Sequence, residues 1–281
     1  MEKITQVANQ SETVRKEVGG ELSQNRWKNF YHRNENRVLA LSTFLCFLIL
    51  WELLPKLGLI KPLFTSSPSR IIGAAQWLFA RGFWYDIYIS ASEFVIGFSL
   101  AVLFGIPLGF LLGWNQKLNA MFDPFISALY ATPRVALLPL IILWLGIGVK
   151  SIIAVVFLGA VFPILVNAIT GVKTIDENLL LCARSFGARD RQILTTLALP
   201  SSVPFLIAGM RLAVGRGLVG VVVGELMASR AGIGHMMSRA GATFQTDKFF
   251  VGVVILAVTG YLLTELLRRL ETHFESWRAE S

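Results

Sequence analysis

Six times in this 281-residue chain the sequence runs apolar for long enough to cross a bilayer, and that recurrence limits the fold more than any other feature. The runs fall at about 38–54, 87–113, 122–145, 152–172, 203–224 and 249–267. A helix needs roughly 20 apolar residues to span the hydrocarbon core, and inside lipid only helices and closed barrels satisfy their own backbone groups. Apolar residues make up 54% of the chain and charged ones 16%, against about 25% charged in a soluble domain. Mean hydropathy is +0.60. The expectation is an all-α polytopic membrane protein of about six transmembrane helices, its membrane domain covering 38–275.

Several function classes have no residues to serve them. Cys46 and Cys182 lie in different segments without a CxxC, and they read as small apolar residues. His32, His235 and His273 are scattered, so no metal site is expected. No Gly-Lys dipeptide occurs, which removes the GxxxxGK[ST] phosphate loop. No nucleophile–base set lies within the spans, so the chain is not expected to be an enzyme. The net charge of +8 sits beside apolar segments, which points to topology and anionic lipid rather than to nucleic acid.

Residues 1–37 are polar and carry no apolar core like that of a signal peptide, so they are expected to form a disordered cytoplasmic tail. With that end inside, fifteen Lys and Arg fall in cytoplasmic segments and eight in outer ones, which predicts both termini in the cytoplasm. Residues 70–80 read as a short interfacial helix. Trp51, Trp77, Trp84 and Trp114 fit interfacial belts.

Small residues and prolines mark the spans. Gly105, Gly109 and Gly113 form a tandem GxxxG, and Gly220 and Gly224 another. Such spacing lets helix backbones approach closely, within one subunit or between two. Pro124, Pro133 and Pro139 predict that the third span is bent or broken. Arg134 follows Pro133 near mid-span, Arg211 and Arg216 lie in the fifth span, and Glu93 lies in the second. A guanidinium at that depth faces a partner or a wet cavity. Two readings stay open: the arginines line a route for an anion, or they pair with Glu93, Glu225 or carbonyls freed near the prolines. Five residues put Arg211 and Arg216 about 140° apart, so both cannot enter one pore. Gly232-Ile-Gly234-His235 reads as an outer gate or a plain turn.

The polar interruption at 171–204 carries fold signals of its own. Thr174-Ile-Asp-Glu177 suggests a capping box opening a helix to about Phe186, with Leu179, Ala183 and Phe186 on one face. Gly187 suits a left-handed cap, and a second helix at 188–199 is expected to close at Pro200. A helical hairpin at 173–202, projecting into the cytoplasm, is the expected result.

Ala183…Gly187, nine residues, then Leu197-Ala198-Leu199-Pro200 resembles the coupling motif of the permease subunits of binding-protein-dependent ABC importers, which runs Glu-Ala-Ala, three residues, Gly, nine residues, Ile-x-Leu-Pro. The stretch 132–148, Ala183-Arg184-Ser-Phe-Gly-Ala188 and Gly232-Ile-Gly234 are similar to the nitrate, sulfonate and taurine branch. The resemblance covers roughly 40–275. The motif Glu falls on Leu181 and its first Ala on Cys182, so the Glu contact is missing.

By resemblance, Leu179, Ala183, Arg184, Phe186, Gly187, Ala188, Leu197, Leu199 and Pro200 couple to a separate cytoplasmic ATPase, a binding protein delivers substrate from outside, and two permease chains form the pathway in the inner membrane. Pro133, Arg134, Arg211 and Arg216 are the candidate pathway residues. No cofactor is implied. The substrate expected from the branch is a small anion such as an alkanesulfonate, taurine or nitrate. The alternatives are an uncharged heterocycle such as a thiamine-pyrimidine precursor, or a self-contained secondary transporter with Glu93 as its ion-coupling acid.

Overall fold

A computed structural model describes residues 38–61 and 64–274. The polar tail 1–37, with His32, and the last residues 275–281 lie outside the described residues. The described chain falls into two units, α1 with Ser67–Ser69, and a bundle formed by residues 70–274 with 64–66. In the first unit α1 (Val38–Lys56) is apolar until Glu52, which pairs with Lys56 at 2.6 Å. Glu52 also accepts from the backbone N–H of Ser69 at 3.0 Å and from its hydroxyl at 2.6 Å.

The bundle contains α2 (Pro68–Phe79, from Arg70), α3 (Trp84–Trp114), α4 (Gln116–Ala131), α5 (Leu138–Leu145) and α6 (Val149–Lys173). Beyond these follow α7 (Glu177–Ser185), α8 (Asp190–Ile193), α9 (Leu199–Ala228), α10 (Ile233–Ala242) and α11 (Thr246–Phe274). Among the described residues there is no strand. Five helices are long and apolar enough to span, or six with α4 and α5 taken as one bent span.

The centre is α6. Ile152, Val156, Ala160, Ile164 and Ala168 are fully buried at four-residue intervals, and Ser151, Gly159 and Pro163 on other faces are buried too. A helix apolar on all sides belongs inside a bundle, and α6 lies between α3 and α9. On α3 the small residues Gly97, Ala101, Gly105, Gly109 and Gly113 form one ridge at the same spacing. A Cβ on Gly109 would lie 2.4 Å from Ala168 Cβ, and one on Gly113 would lie 2.8 Å from Val172 Cβ. On the other side, Gly220 and Gly224 of α9 pack against Val156 and Ile152. Both GxxxG patterns therefore close contacts within this chain, which decides between the two uses the sequence left open.

Of the three prolines in the third apolar run, only Pro133 breaks it. Pro124 sits inside α4, and Pro139 occupies the first turn of α5, where no N–H is needed. Pro133 forces Thr132 into extended backbone (φ −66°, ψ 132°). A single tight turn, Arg134–Leu137, follows, and the two helices meet at 86°.

Candidate functional site

Three places bear on function, and the first is the turn after α6. Its helix does not open on a Thr174 capping box. The cap is Asp176, whose carboxylate accepts from the Asn178 N–H at 2.8 Å, while the Thr174 hydroxyl donates to the Gly171 carbonyl. Asp176 holds the extended backbone a cap requires, whereas Thr174 does not (φ −89°, ψ 7°). The end of the helix is as expected. Gly187 takes φ +77°, its N–H bonds the Arg184 carbonyl at 2.9 Å, and the Ala188 N–H reaches Ala183 at 3.1 Å.

Pro200 does not close a second helix. Residues Asp190–Ala228 run as one 39-residue helix through Pro200 and Pro204. The turn Leu194–Ala198 just before Pro200 is widened, which makes room for a ring that would otherwise press on the carbonyl four residues back. The hairpin is therefore one short helix, a glycine reversal, and the first turns of a long span.

Its faces also differ from the expectation. Leu180, not named from the sequence, packs inward with Leu194 and Leu197 on a core of Val172, Ile175 and Ala198. Leu197 thus holds the hairpin to the bundle. Leu179, Leu181 and Leu199 are exposed, Phe186 is 88% exposed, and Ala183, Ala188 and Pro200 are half-buried. Arg184 reaches Asp190 across the turn at 3.9 Å. An apolar edge of Leu179, Leu181 and Phe186 therefore stands open beside an exposed ion pair.

The second place is the break between α4 and α5. The Thr132 hydroxyl bonds the Ala128 carbonyl at 2.8 Å, and Arg134 Nη2 donates to the Tyr130 carbonyl at 2.7 Å. Arg134 thus satisfies a carbonyl that the broken helix frees, while its Nε is buried without a hydrogen-bond partner. Arg216 of α9 approaches the same aromatic ring, with its guanidinium carbon 5.0 Å from the Tyr130 centroid. Arg134 lies 5.4 Å from that ring and 5.2 Å from Phe162. Pro133, Arg134, Tyr130 and Arg216 line one cavity of about 360 Å³, floored by Gly159, Gly215 and Gly220. Arg211 is absent from it and pairs with Glu271 of α11. None of the three arginines pairs with Glu93 or Glu225, because those carboxyls face each other at the far end of the bundle. Tyr130 was invisible in the sequence, since nothing in an apolar run marks which aromatic faces a cavity.

The third place is the turn after α9. Gly232 (φ +112°) donates its N–H to Asp86 at 2.8 Å, Ile233 to the Ser90 hydroxyl at 2.8 Å, and Gly234 to Glu225 at 2.6 Å. Ser90 in turn donates to Glu225 at 2.5 Å. A Cβ on Gly232 would lie 2.2 Å from the Glu225 carboxylate. The Gly-Ile-Gly is a turn pinned by hydrogen bonds. It lets three successive N–H groups at the start of α10 reach acceptors on α3 and α9. His235 lies half-buried just beyond.

The model of the family "Binding-protein-dependent transport system inner membrane component" matches residues 105–276, from the middle of α3 through α11. The chain is a member of that family. This permease is 30% identical over 269 residues to the taurine transport system permease protein of Escherichia coli, across 94% of this chain and 98% of that one. It is 32% identical to a putative aliphatic sulfonates transport permease protein of Bacillus subtilis, across 82% of this chain and 83% of the other. To the formylaminopyrimidine transport permease protein of Halalkalibacterium halodurans it is 29% identical, across 84% and 94%. Among solved structures, a chain of the MetNI methionine ABC transporter in an inward-facing crystal form superposes with a TM-score of 0.55. The match covers 71% of this permease and 97% of that chain at 21% identity, a likeness of fold alone. The family makes this an inner-membrane importer subunit that works with an ATPase and a substrate-binding protein, and its relatives are permeases rather than enzymes.

Proposed function

We propose that this permease, as a symmetric pair, forms the import pathway for a small organic sulfonate or a similar anion. The observation that carries the reading is the convergence of Arg134 and Arg216 on one cavity beside the broken span. Two guanidinium groups at that depth, with no carboxylate between them, favour an anion over a neutral or cationic passenger. The relatives that move taurine and aliphatic sulfonates agree with that chemistry. Pro133 supports the site by turning the backbone so that Arg134 points inward, and Arg211 supports the bundle rather than the route.

The same reading gives the α7 hairpin to the ATPase. Leu179, Leu181, Phe186 and Leu199 offer an apolar surface, and Ala183, Arg184, Gly187, Ala188 and Pro200 fix its shape, with Leu197 anchoring it. Where the family motif carries Glu, Leu181 is 62% exposed, so the contact here is apolar. Because α9 continues rigidly from the hairpin past Arg216, closure of the ATPase would be carried directly to the cavity. Both termini and the hairpin lie in the cytoplasm, and lipid surrounds the remaining apolar faces.

Uptake of radiolabelled taurine or an alkanesulfonate into proteoliposomes holding the permease, its ATPase and its binding protein tests this. The proposal expects ATP-dependent uptake that falls at least tenfold in Arg134→Gln and Arg216→Gln. Uptake of an uncharged pyrimidine in preference, untouched by either substitution, would move the permease to the heterocycle importers that its 29% identical relative represents.

A further inference from the structure

At the end of the bundle away from the α7 hairpin, a recess of about 390 Å³ opens between the C-terminal end of α2, α10 and the start of α11. Arg81, Arg230, Arg239 and Lys248 line it. Among the described residues none of the four forms an ion pair with a carboxylate. Lys248 instead lies near the like charges of Arg81 and Arg239. Asp86 is the one carboxylate in the lining, and Asp247 lies beside it. Asp247 holds Arg70 at 2.9 Å and the Ser66 hydroxyl at 2.7 Å, and Asp86 accepts the Gly232 N–H. Trp77 forms an aromatic wall, with the Lys248 ammonium 3.5 Å and the Arg81 guanidinium 3.9 Å from its ring centroid.

We infer that this recess is a binding site for an oxyanion of the sulfate, sulfonate or phosphate type, distinct from the Arg134–Arg216 cavity. Four cations gathered around the single carboxylate of Asp86 leave a net positive recess, and a concave wall that partly excludes water strengthens both their mutual repulsion and the attraction to an incoming anion. Three guanidinium groups and one ammonium present forked and point-like donors to tetrahedral oxygens. Trp77 pre-orders two of those cations by drawing both to its ring. The same chemistry arrives from two sources, a free anion on its way to the pathway or the headgroup of an anionic lipid. The inference does not depend on which substrate the permease carries.

The test uses the full chain, delipidated in a non-ionic detergent at low ionic strength. Equilibrium dialysis with labelled sulfate measures the free-anion arm. Native mass spectrometry with phosphatidylglycerol against phosphatidylcholine measures the lipid arm. The Arg239→Gln/Lys248→Gln double variant is the probe, with matched thermal unfolding as the check on folding. A class of saturable sulfate sites near one per chain that is weakened at least tenfold in the variant and survives in Arg134→Gln, whatever that substitution does to binding in the Arg134–Arg216 cavity, supports the site with a free anion. Preferential retention of phosphatidylglycerol, lost in the variant, supports it with a lipid headgroup. Wild type and variant that agree in both arms would overturn the inference. So would sulfate binding that Arg134→Gln abolishes entirely.

Discussion

Arg134, from the turn before α5, and Arg216, from α9, place their guanidinium carbons 5.4 and 5.0 Å from the centroid of one ring, that of Tyr130. Neither the break at Pro133 nor the position of Arg216 on its helix reveals this relationship alone. It appears only when α6 holds both elements against a shared face.

Each arginine is expected to act on transport rather than on folding. Arg134→Gln or Arg216→Gln should cut sulfonate uptake at least tenfold while leaving the detergent-solubilised chain folded. Arg211→Gln should leave uptake within twofold, since Arg211 is held by Glu271 outside the cavity. Initial rates of ATP-driven uptake decide this, and an equal loss from all three would contradict the separation.

The contact of α3 with α6 predicts a stability effect that one repair reverses. Gly109→Val drives a branched Cβ into Ala168, and overpacking of this kind costs about 1–3 kcal/mol. Ala168→Gly in the same chain should recover part of the loss. Gly215→Ala serves as a control, because a Cβ there meets open space. Unfolding in a denaturing detergent titration measures all three.

At the turn after α9, Glu225→Ala leaves the Gly234 N–H and the Ser90 hydroxyl without their acceptor. Each buried orphan costs about 1–3 kcal/mol. Glu225→Gln keeps one carbonyl oxygen and should lose less. Thermal unfolding ranks the two, and equal stability would show that the acceptor is dispensable.

The hairpin separates folding from partnership. Phe186→Asp changes a side chain that touches almost nothing in this chain, so the permease should insert and melt as before. Gly187→Asp adds about 1–2 kcal/mol of left-handed strain and a charge beside Arg184 and Asp190. Both should abolish ATP-driven transport. Retention of the ATPase by either variant at the wild-type level would remove the hairpin from the interface.

Much of the fold was legible because lipid allows so few solutions: run length located the spans, and the three prolines announced a break in the third without saying that Pro133 makes it. The small-residue spacing announced close packing, but it could not say that the partner was α6 of the same chain, since GxxxG carries no address. The error at Thr174 has a local cause. Thr and Asp are both good caps, and backbone angles choose between them. Pro200 misled because a widened turn accommodates a proline that otherwise stops a helix. The cavity was half visible: Arg134 stood out as a charge in an apolar run, whereas Tyr130 and the link to Arg216 depend on contacts across 82 residues. The basic recess was hidden for the same reason, its four cations being spread over the turn after α2, the turn before α10, α10 itself and the start of α11.

The central claim is that an external ATPase drives this permease through the α7 hairpin. The most direct measurement is affinity purification of the full chain from its native membrane in mild detergent, with co-purifying proteins identified by mass spectrometry, for wild type and Phe186→Asp side by side. The account predicts that a Walker-motif ATPase accompanies the wild type and is lost from the variant. A wild-type chain that emerges alone and still moves substrate into liposomes on an ion gradient would contradict it.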